Sequence, residues 1–555
     1  MRPLIAAALL LLPVPASADT LIDNVVGITL DEKGSVKTFN GLLIGDDGRI
    51  EQVLDRKDKR PKRVDYQLDG KGRVLVPGMI DSHVEVMELG LAQLTLDLSV
   101  SASADEALSR IAAYAAAHPD RQWILGRGWR RQGWDAAGAS FGTAIGAATE
   151  GRPVWLVAAD GRSGWASNAA LAEAGIGPDT KDPVGGRIER LPGGQPSGIL
   201  VGTAMELLER RIPPPRPEDR DIAFLEAQQI LLRQGITTVA DMGATIEDWQ
   251  SYRRAGDRGA LLIRIVAYAD GTGDMTLIGG PGPTPWLYED RLRLNGVNLR
   301  LDGALASRGA WLKAPYSDDP ANRGLVRMND TQLSNLMSRA AIDDFQVAVQ
   351  ASGDAATAAV LDAIAELTQT YKGDRRWRIE SAHVVDPAQF ARFAQFGVHA
   401  SMQPEDVLAW QVDEARLGPE RLAGVLAWRS LDAAGAGIAF GSGSPARAIR
   451  PFAGMAAAVT RQGEDGQPFT GWQPQERLSR EAAFAAYTAN AARALFAEDR
   501  FGRLAKGQRA DFLLIDHDPL LATPEQLREI RVLQTWINGK QVYEAKAKAD
   551  AGEGR

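Results

Sequence analysis

Apolar positions along the middle of the chain fall into two alternating patterns. Short β-branched or apolar runs, Pro153 to Ala158, Thr237 to Ala240, Ile263 to Tyr268, Val297 to Leu301, Gln346 to Gln350, Arg376 to Ser381 and Gly437 to Gly441, read as buried strands. Between them, Ala104 to Ala117, Arg220 to Gln234, Asp330 to Ile342 and Ala355 to Tyr371 carry apolar residues at helical spacing. Strands and helices alternating in this number predict an α/β barrel, whose chemistry sits where strands end and loops begin. A doubly wound sheet is the competing arrangement, but no GxGxxG opens a helix to support it.

The ends of the chain follow a different pattern. From Asp19 to about Gly70, short strands are separated by Asp31-Glu32-Lys33-Gly34 and Asp46-Asp47-Gly48, where glycine supplies the positive φ of a hairpin turn. Near the C-terminus, Val532 to Ile537, Asn538-Gly539 and Lys540 to Tyr543 form an Asn-Gly hairpin. Two β-rich ends flanking a long middle predict one accessory sheet unit built from both termini. The expected layout is a signal peptide over 1–18, a first sandwich part over 19–76 and a barrel over 77–495 with an inserted α/β segment near 100–220. A second sandwich part over 496–545 and a frayed tail over 546–555 complete it.

The first eighteen residues read as an export signal. Arg2 is followed by an unbroken apolar run from Leu4 to Leu12, then Pro13, Pro15 and the small-residue site Ala16-Ser17-Ala18. The expected location is therefore periplasmic or secreted. No other stretch has the length of a membrane span. Over 555 residues the net charge is -8, which argues against a nucleic-acid binder and leaves a small-molecule ligand or substrate as the expected partner. The absence of cysteine excludes disulfides, thiolate metal sites and cysteine nucleophiles.

Candidate chemistry starts at Val74-Leu75-Val76-Pro77-Gly78-Met79-Ile80-Asp81-Ser82-His83-Val84-Glu85. In a strand, His83 and Glu85 share one face, and imidazole and carboxylate both suit zinc or a similar divalent ion. Only four other histidines exist. His118 ends a helical pattern, His399 lies in a strand and His517 in a surface turn. His383 follows a strand-like run.

Several ordered motifs carry a resemblance. They are Val76-Pro77-Gly78-Met79-Ile80-Asp81-Ser82-His83, Ile124 to Trp129, Gly235 to Asp241, Leu301 to Gly309 with Pro315-Tyr316-Ser317-Asp318, Arg378-Ile379-Glu380, Ser401-Met402-Gln403-Pro404 and Tyr487 to Asn490. In this order they resemble the amidohydrolase superfamily, in the family-3 branch that includes N-substituted formamide deformylases. The resemblance implies a distorted (β/α)8 TIM-like barrel plus a composite β-sandwich from both termini, and hydrolysis of amide or formamide C–N bonds by metal-activated water. It also implies a ligand set of His-x-His, a lysine, two later histidines and an aspartate. Carried over, those positions hold His83 and Glu85, Asn298, Gln350, Ser381 and Gly443. The histidine of an Asp-Gly-His becomes Arg162, and Glu405 and Asp406 follow Gln403-Pro404 where a histidine is expected.

Asn298 and Gln350 offer only neutral amide oxygens, and Gly443 offers no side chain. Two readings follow. In the first, the chain is a pseudoenzyme with no resident cofactor, its former active-site pocket binding a small ligand or nothing. In the second, it hydrolyses C–N bonds through a rebuilt mononuclear, zinc-like site around His83, Glu85 and His383. A metal-free pair of Glu85 with Asp354 is a further possibility for acid–base work. Arg308 is a candidate carboxylate clamp, or else a structural partner of Asp302. Arg162 and Arg447, if both face inward, would favour an anionic ligand, and Trp129, Trp134 and Trp165 are candidate pocket walls.

Overall fold

The structure, a computed structural model, describes residues 20–129, 144–158, 161, 163–183 and 185–546. Eight parallel strands form the central sheet. In order they are Met79–Val84, Ile236–Ala244, Arg264–Asp270, Leu292–Arg300, Gln346–Ala351, Arg378–Ser381, His399–Met402 and Gly437–Phe440. Each pairs with the next. The first and eighth meet just beyond their ends: Gly443 N–H donates to the His83 carbonyl (2.8 Å) and Glu85 N–H to that of Ser444 (2.9 Å). A parallel bridge between Val84 and Ser444 completes the ring. Ile80, Ala240, Met242, Val266, Tyr268, Ala348 and Ala439 fill the interior, and Ala491 to Phe501 close its lower end. This is a packed core with its chemistry at the upper rim.

Helices cover the outside of the barrel, among them Pro217–Arg233, Asp330–Ile342 and Asp354–Leu367, whereas the expected helix over Ala104–Ala117 packs on the inserted sheet through Ala107, Ile111 and Ala115. Their starts are set locally. Ser103 accepts the Glu106 N–H, and Asn329 with Gln332 forms a capping box.

The run from Val74 to Glu85 is divided between two sheets. Val74–Pro77 lies between Val26–Leu30 and Phe512–Ile515 in a terminal sheet, whereas Met79–Val84 opens the barrel. Gly78 is the joint: a Cβ there would lie 2.2 Å from Thr237 Oγ1, so only glycine lets the second barrel strand approach. The terminal sheet runs Lys540–Glu544, Val532–Ile537, Phe512–Ile515, Val74–Pro77, Val26–Leu30, Val36–Phe39, so both chain ends contribute. A four-stranded sheet of Thr20–Asp23, Gly41–Ile44, Ile50–Leu54 and Tyr66–Asp69 packs against it through Ile22, Leu42, Leu75, Phe512 and Trp536. A further six-stranded mixed sheet is inserted between the first two barrel strands, with Leu96–Asp97, Ile124–Trp129, Val154–Ala158 and Ser163–Ala166 among its members. No helix among the described residues is long and apolar enough to cross a membrane.

Candidate active site at the barrel mouth

His83 ends the first barrel strand, and its side chain reaches across the interior to the sixth. Its Nδ1 lies 2.8 Å from Glu380 Oε2. The other oxygen of Glu380 accepts from Arg378 Nε at 2.7 Å, and Arg378 Nη2 donates to the Ser82 carbonyl at 2.7 Å. Glu380 and Arg378 are fully buried. Burial alone would raise the Glu380 carboxyl; the Arg378 charge and the His83 hydrogen bond outweigh it and hold the group down at about 2. The arrangement continues downward. Arg378 Nη1 is 3.3 Å from the Tyr268 hydroxyl, which donates to Gln346 Oε1 at 2.6 Å. A polar column therefore runs from the mouth to the lower end of the barrel.

Glu85 takes no part in that column. Its carboxylate pairs with Arg300 Nη2 at 3.2 Å, and Arg300 Nη1 pairs with Asp270 at 2.7 Å. Arg300 ends the fourth strand, two residues beyond Asn298. Its guanidinium lies beside Gly243 at the end of the second strand, 2.9 Å from where a Cβ would stand. His383 is engaged elsewhere again: its Nε2 lies 2.9 Å from Asp413 and its Nδ1 3.2 Å from Asp406. Burial opposes its charge, but Asp413 and Asp406 outweigh this and raise the imidazole to about 10. The structure thus distributes His83, Glu85 and His383 among three separate partnerships. Among the described residues no group of three or more His, Cys, Asp or Glu side chains is arranged to hold a metal ion.

The remaining carried-over positions supply no anionic side chain. Asn298 is buried, with an Oδ1 that accepts no hydrogen bond. The Gln350 carbonyl is used by Leu301 N–H, and Ser381 has a positive φ of 71°. Gly443 has φ 69°, and a Cβ on it would come 3.2 Å from both Arg447 Nη1 and Gln403 Cγ. Arg447 itself pairs with Asp406. Its guanidinium lies where a side chain at 443 would begin.

Other sequence candidates have structural partners. Asp354 begins a helix and accepts from the backbone N–H of Lys313 (2.9 Å) and Ala355 (3.0 Å) rather than pairing with Glu85. Arg308 holds Asp318 bidentately at 2.8 and 3.1 Å, so its partner is Asp318 and not Asp302. Asp302 instead accepts N–H groups of Trp311, Ser352 and Gly353. Glu405 pairs with Arg450 at 3.1 Å. Trp129 and Trp165 pack on each other, with ring centroids 5.5 Å apart, in the inserted sheet's core. Trp134 and Arg162 lie outside the described residues. Sequence reasoning missed Arg300 and Glu380 as site residues, although strand alternation places Arg300 on the Asn298 face and Glu380 on the Arg378 face.

An eight-stranded parallel barrel with a polar rim at its strand ends and a sheet unit from both termini defines a composite α/β-barrel protein. The chain belongs to the amidohydrolase family, whose pattern it matches over residues 68–543. Protein LONG AFTER FAR-RED 3 of Arabidopsis thaliana is 33% identical over 85% of this chain and 83% of its own. N-substituted formamide deformylase of Arthrobacter pascens is 27% identical over 86% of this chain and 90% of its own. Among solved structures, an uncharacterized metal-dependent hydrolase from Pyrococcus horikoshii OT3 superimposes with a TM-score of 0.75 at 24% identity, covering 91% of this chain and 99% of the other. The last likeness speaks to fold alone.

Proposed function

We propose that this amidohydrolase-family protein is exported and keeps the barrel mouth as a small-molecule site without metal-assisted C–N hydrolysis. One observation carries the reading: Glu85, at a former ligand position, and Glu380, bonded to His83, are each already ion-paired with a guanidinium, Arg300 and Arg378. A divalent ion needs several converging donors and a net negative shell. Here the donor set does not fit. His83 spends one ring nitrogen on Glu380, His383 spends both on aspartates, and Asn298, Gln350, Ser381 and Gly443 supply no anionic group. A cation added there would have to compete with Arg300 and Arg378 for carboxylates they already hold. Export rests on the Arg2 to Ala18 pattern.

Metal analysis of the purified full chain tests this, together with assay of N-substituted formamides and simple amides with and without added zinc or manganese. The expected result is far less than one ion per chain and no metal-dependent turnover. Stoichiometric metal whose removal by chelator lowers the unfolding temperature would overturn it. A second reading has its own support: Glu380 orients His83 through Nδ1 and leaves Nε2 for a proton, as a general base requires. Metal-independent amide turnover abolished by His83→Gln would select that reading.

A further inference from the structure

A cleft of about 390 Å³ opens at the lower end of the barrel, where the strands begin, on the side opposite the mouth. Its volume falls within the range of small-molecule sites. Arg293, Arg375 and Lys372 line it against two carboxylates, Asp344 and Asp374, with Phe345, Phe496 and Pro283 adding apolar wall. Asn295 and Gln346 are the foot of the polar column, joined by a 2.7 Å hydrogen bond.

The charges around this cleft are unequally satisfied. Arg375 pairs with Asp344 at 2.7 Å, and the neighbouring Arg376 is held by Asp374 and Glu498. Asp344 and Asp374 point mainly into solvent, with side chains 80% and 56% exposed. Arg293 makes no ion pair among the described residues, and its Nε is buried without a hydrogen-bond partner. Its guanidinium lies 5.8 Å from the Trp286 ring centroid, and Arg500 shares that ring at 5.5 Å. Burial weighs against the Arg293 charge, Tyr268 and Asp499 offset part of this, and Arg500 adds to it. A partly buried guanidinium with no carboxylate at ion-pair distance among the described residues, lining a ligand-sized cleft with aromatic walls, is suited to an external acceptor.

We propose that this cleft binds a small organic anion, a carboxylate or phosphate on a flat apolar body, with Arg293 as its anchor. Lys372 adds positive charge at the exposed rim, and Phe345 and Phe496 take the apolar body. The site is separate from the barrel mouth and does not depend on the reading given for it.

Calorimetric titration of the full chain with benzoate, phenyl phosphate and inorganic phosphate tests the assignment. At least one aryl anion binds saturably, more tightly than inorganic phosphate, which lacks the flat body. Arg293→Gln weakens that binding about tenfold or more, the scale of one lost charge-assisted contact. Lys372→Glu, on the exposed rim and harmless to the core, weakens it by a smaller factor. Arg300→Gln, at the mouth, leaves it unchanged. Absence of saturable binding by either aryl anion overturns the proposal. So does affinity that survives Arg293→Gln, or affinity lost on Arg300→Gln, which would place the anion in the mouth.

Discussion

His83 Nδ1 and Glu380 Oε2 stand 2.8 Å apart across the barrel, joining its first strand to its sixth. The contact makes Glu380 the shared acceptor of an imidazole and a buried guanidinium. It is the link between the rim and the polar column beneath, and its parts are energetically unequal. Arg378 is fully buried and has Glu380 as its counter-ion, whereas His83 is partly open to the mouth.

Glu380→Gln therefore leaves a buried cation without its anion and is expected to cost about 3–5 kcal/mol. His83→Ala leaves the Arg378–Glu380 pair intact and costs distinctly less. Denaturant unfolding of the two variants side by side checks the order. Equal losses would mean that the pair does not carry the energy assigned to it.

His383 gives stability a pH dependence. Its folded value of about 10 lies above the ordinary 6.5 of an unfolded histidine, so the folded state keeps a proton that the unfolded chain has lost. The contribution is complete below pH 6.5 and disappears as pH rises through 10. The unfolding temperature should fall across that window, and the fall should be shallower in His383→Gln. Identical slopes for the two proteins would count against an imidazolium held between Asp406 and Asp413.

How much of this was legible beforehand differs from residue to residue. The Val74 to Glu85 run, its Pro-Gly break and the Asn538-Gly539 hairpin are local patterns, and each forms as strand alternation and turn chemistry dictate. The family motifs also placed His83 and Glu85 at a strand end. What each of them pairs with was not legible. Glu380 is 297 residues from His83 and Arg300 is 215 from Glu85, and no local rule pairs side chains over such distances. Arg308 illustrates the same limit at short range. Asp302 and Asp318 were both within reach in sequence, and the loop's backbone, with Arg308 at φ 56°, decides for Asp318.

Asp241 ends in a buried pocket under the rim, where its carboxyl accepts from Val86 N–H and the Tyr252 hydroxyl, both at 2.9 Å. Burial, with Asp248 and Glu85 nearby, raises it to about 7 from an ordinary 3.8. The folded chain therefore holds this proton where the unfolded chain has released it. Its contribution is present below about pH 4 and is lost as pH rises through 7. Asp241→Asn copies the protonated form. Relative to the parent, this variant should gain stability between pH 5 and pH 8, measured as the change in unfolding midpoint. A relative loss over that interval would show that the ionised carboxylate is the stabilising form.

Gly443 offers the most direct check on whether one lost ligand accounts for the site. Gly443→Asp places a carboxylate at the position where the family resemblance implies a metal-binding aspartate. Its φ of 69° costs a non-glycine residue roughly 1 kcal/mol, and its Cβ meets Arg447 Nη1 and Gln403 Cγ at 3.2 Å. Arg447 is the far end of a flexible side chain, already drawn to Asp406, so it can move slightly and accept the new carboxylate as a partner. The expected outcome is a folded, modestly destabilised protein in which guanidinium, rather than metal, neutralises the added charge. Elemental analysis after dialysis against zinc should show no gain over the parent. One firmly bound zinc per chain in Gly443→Asp would mean that Arg300 and Arg378 yield to an ion, and that a single side chain separates this mouth from a metal centre.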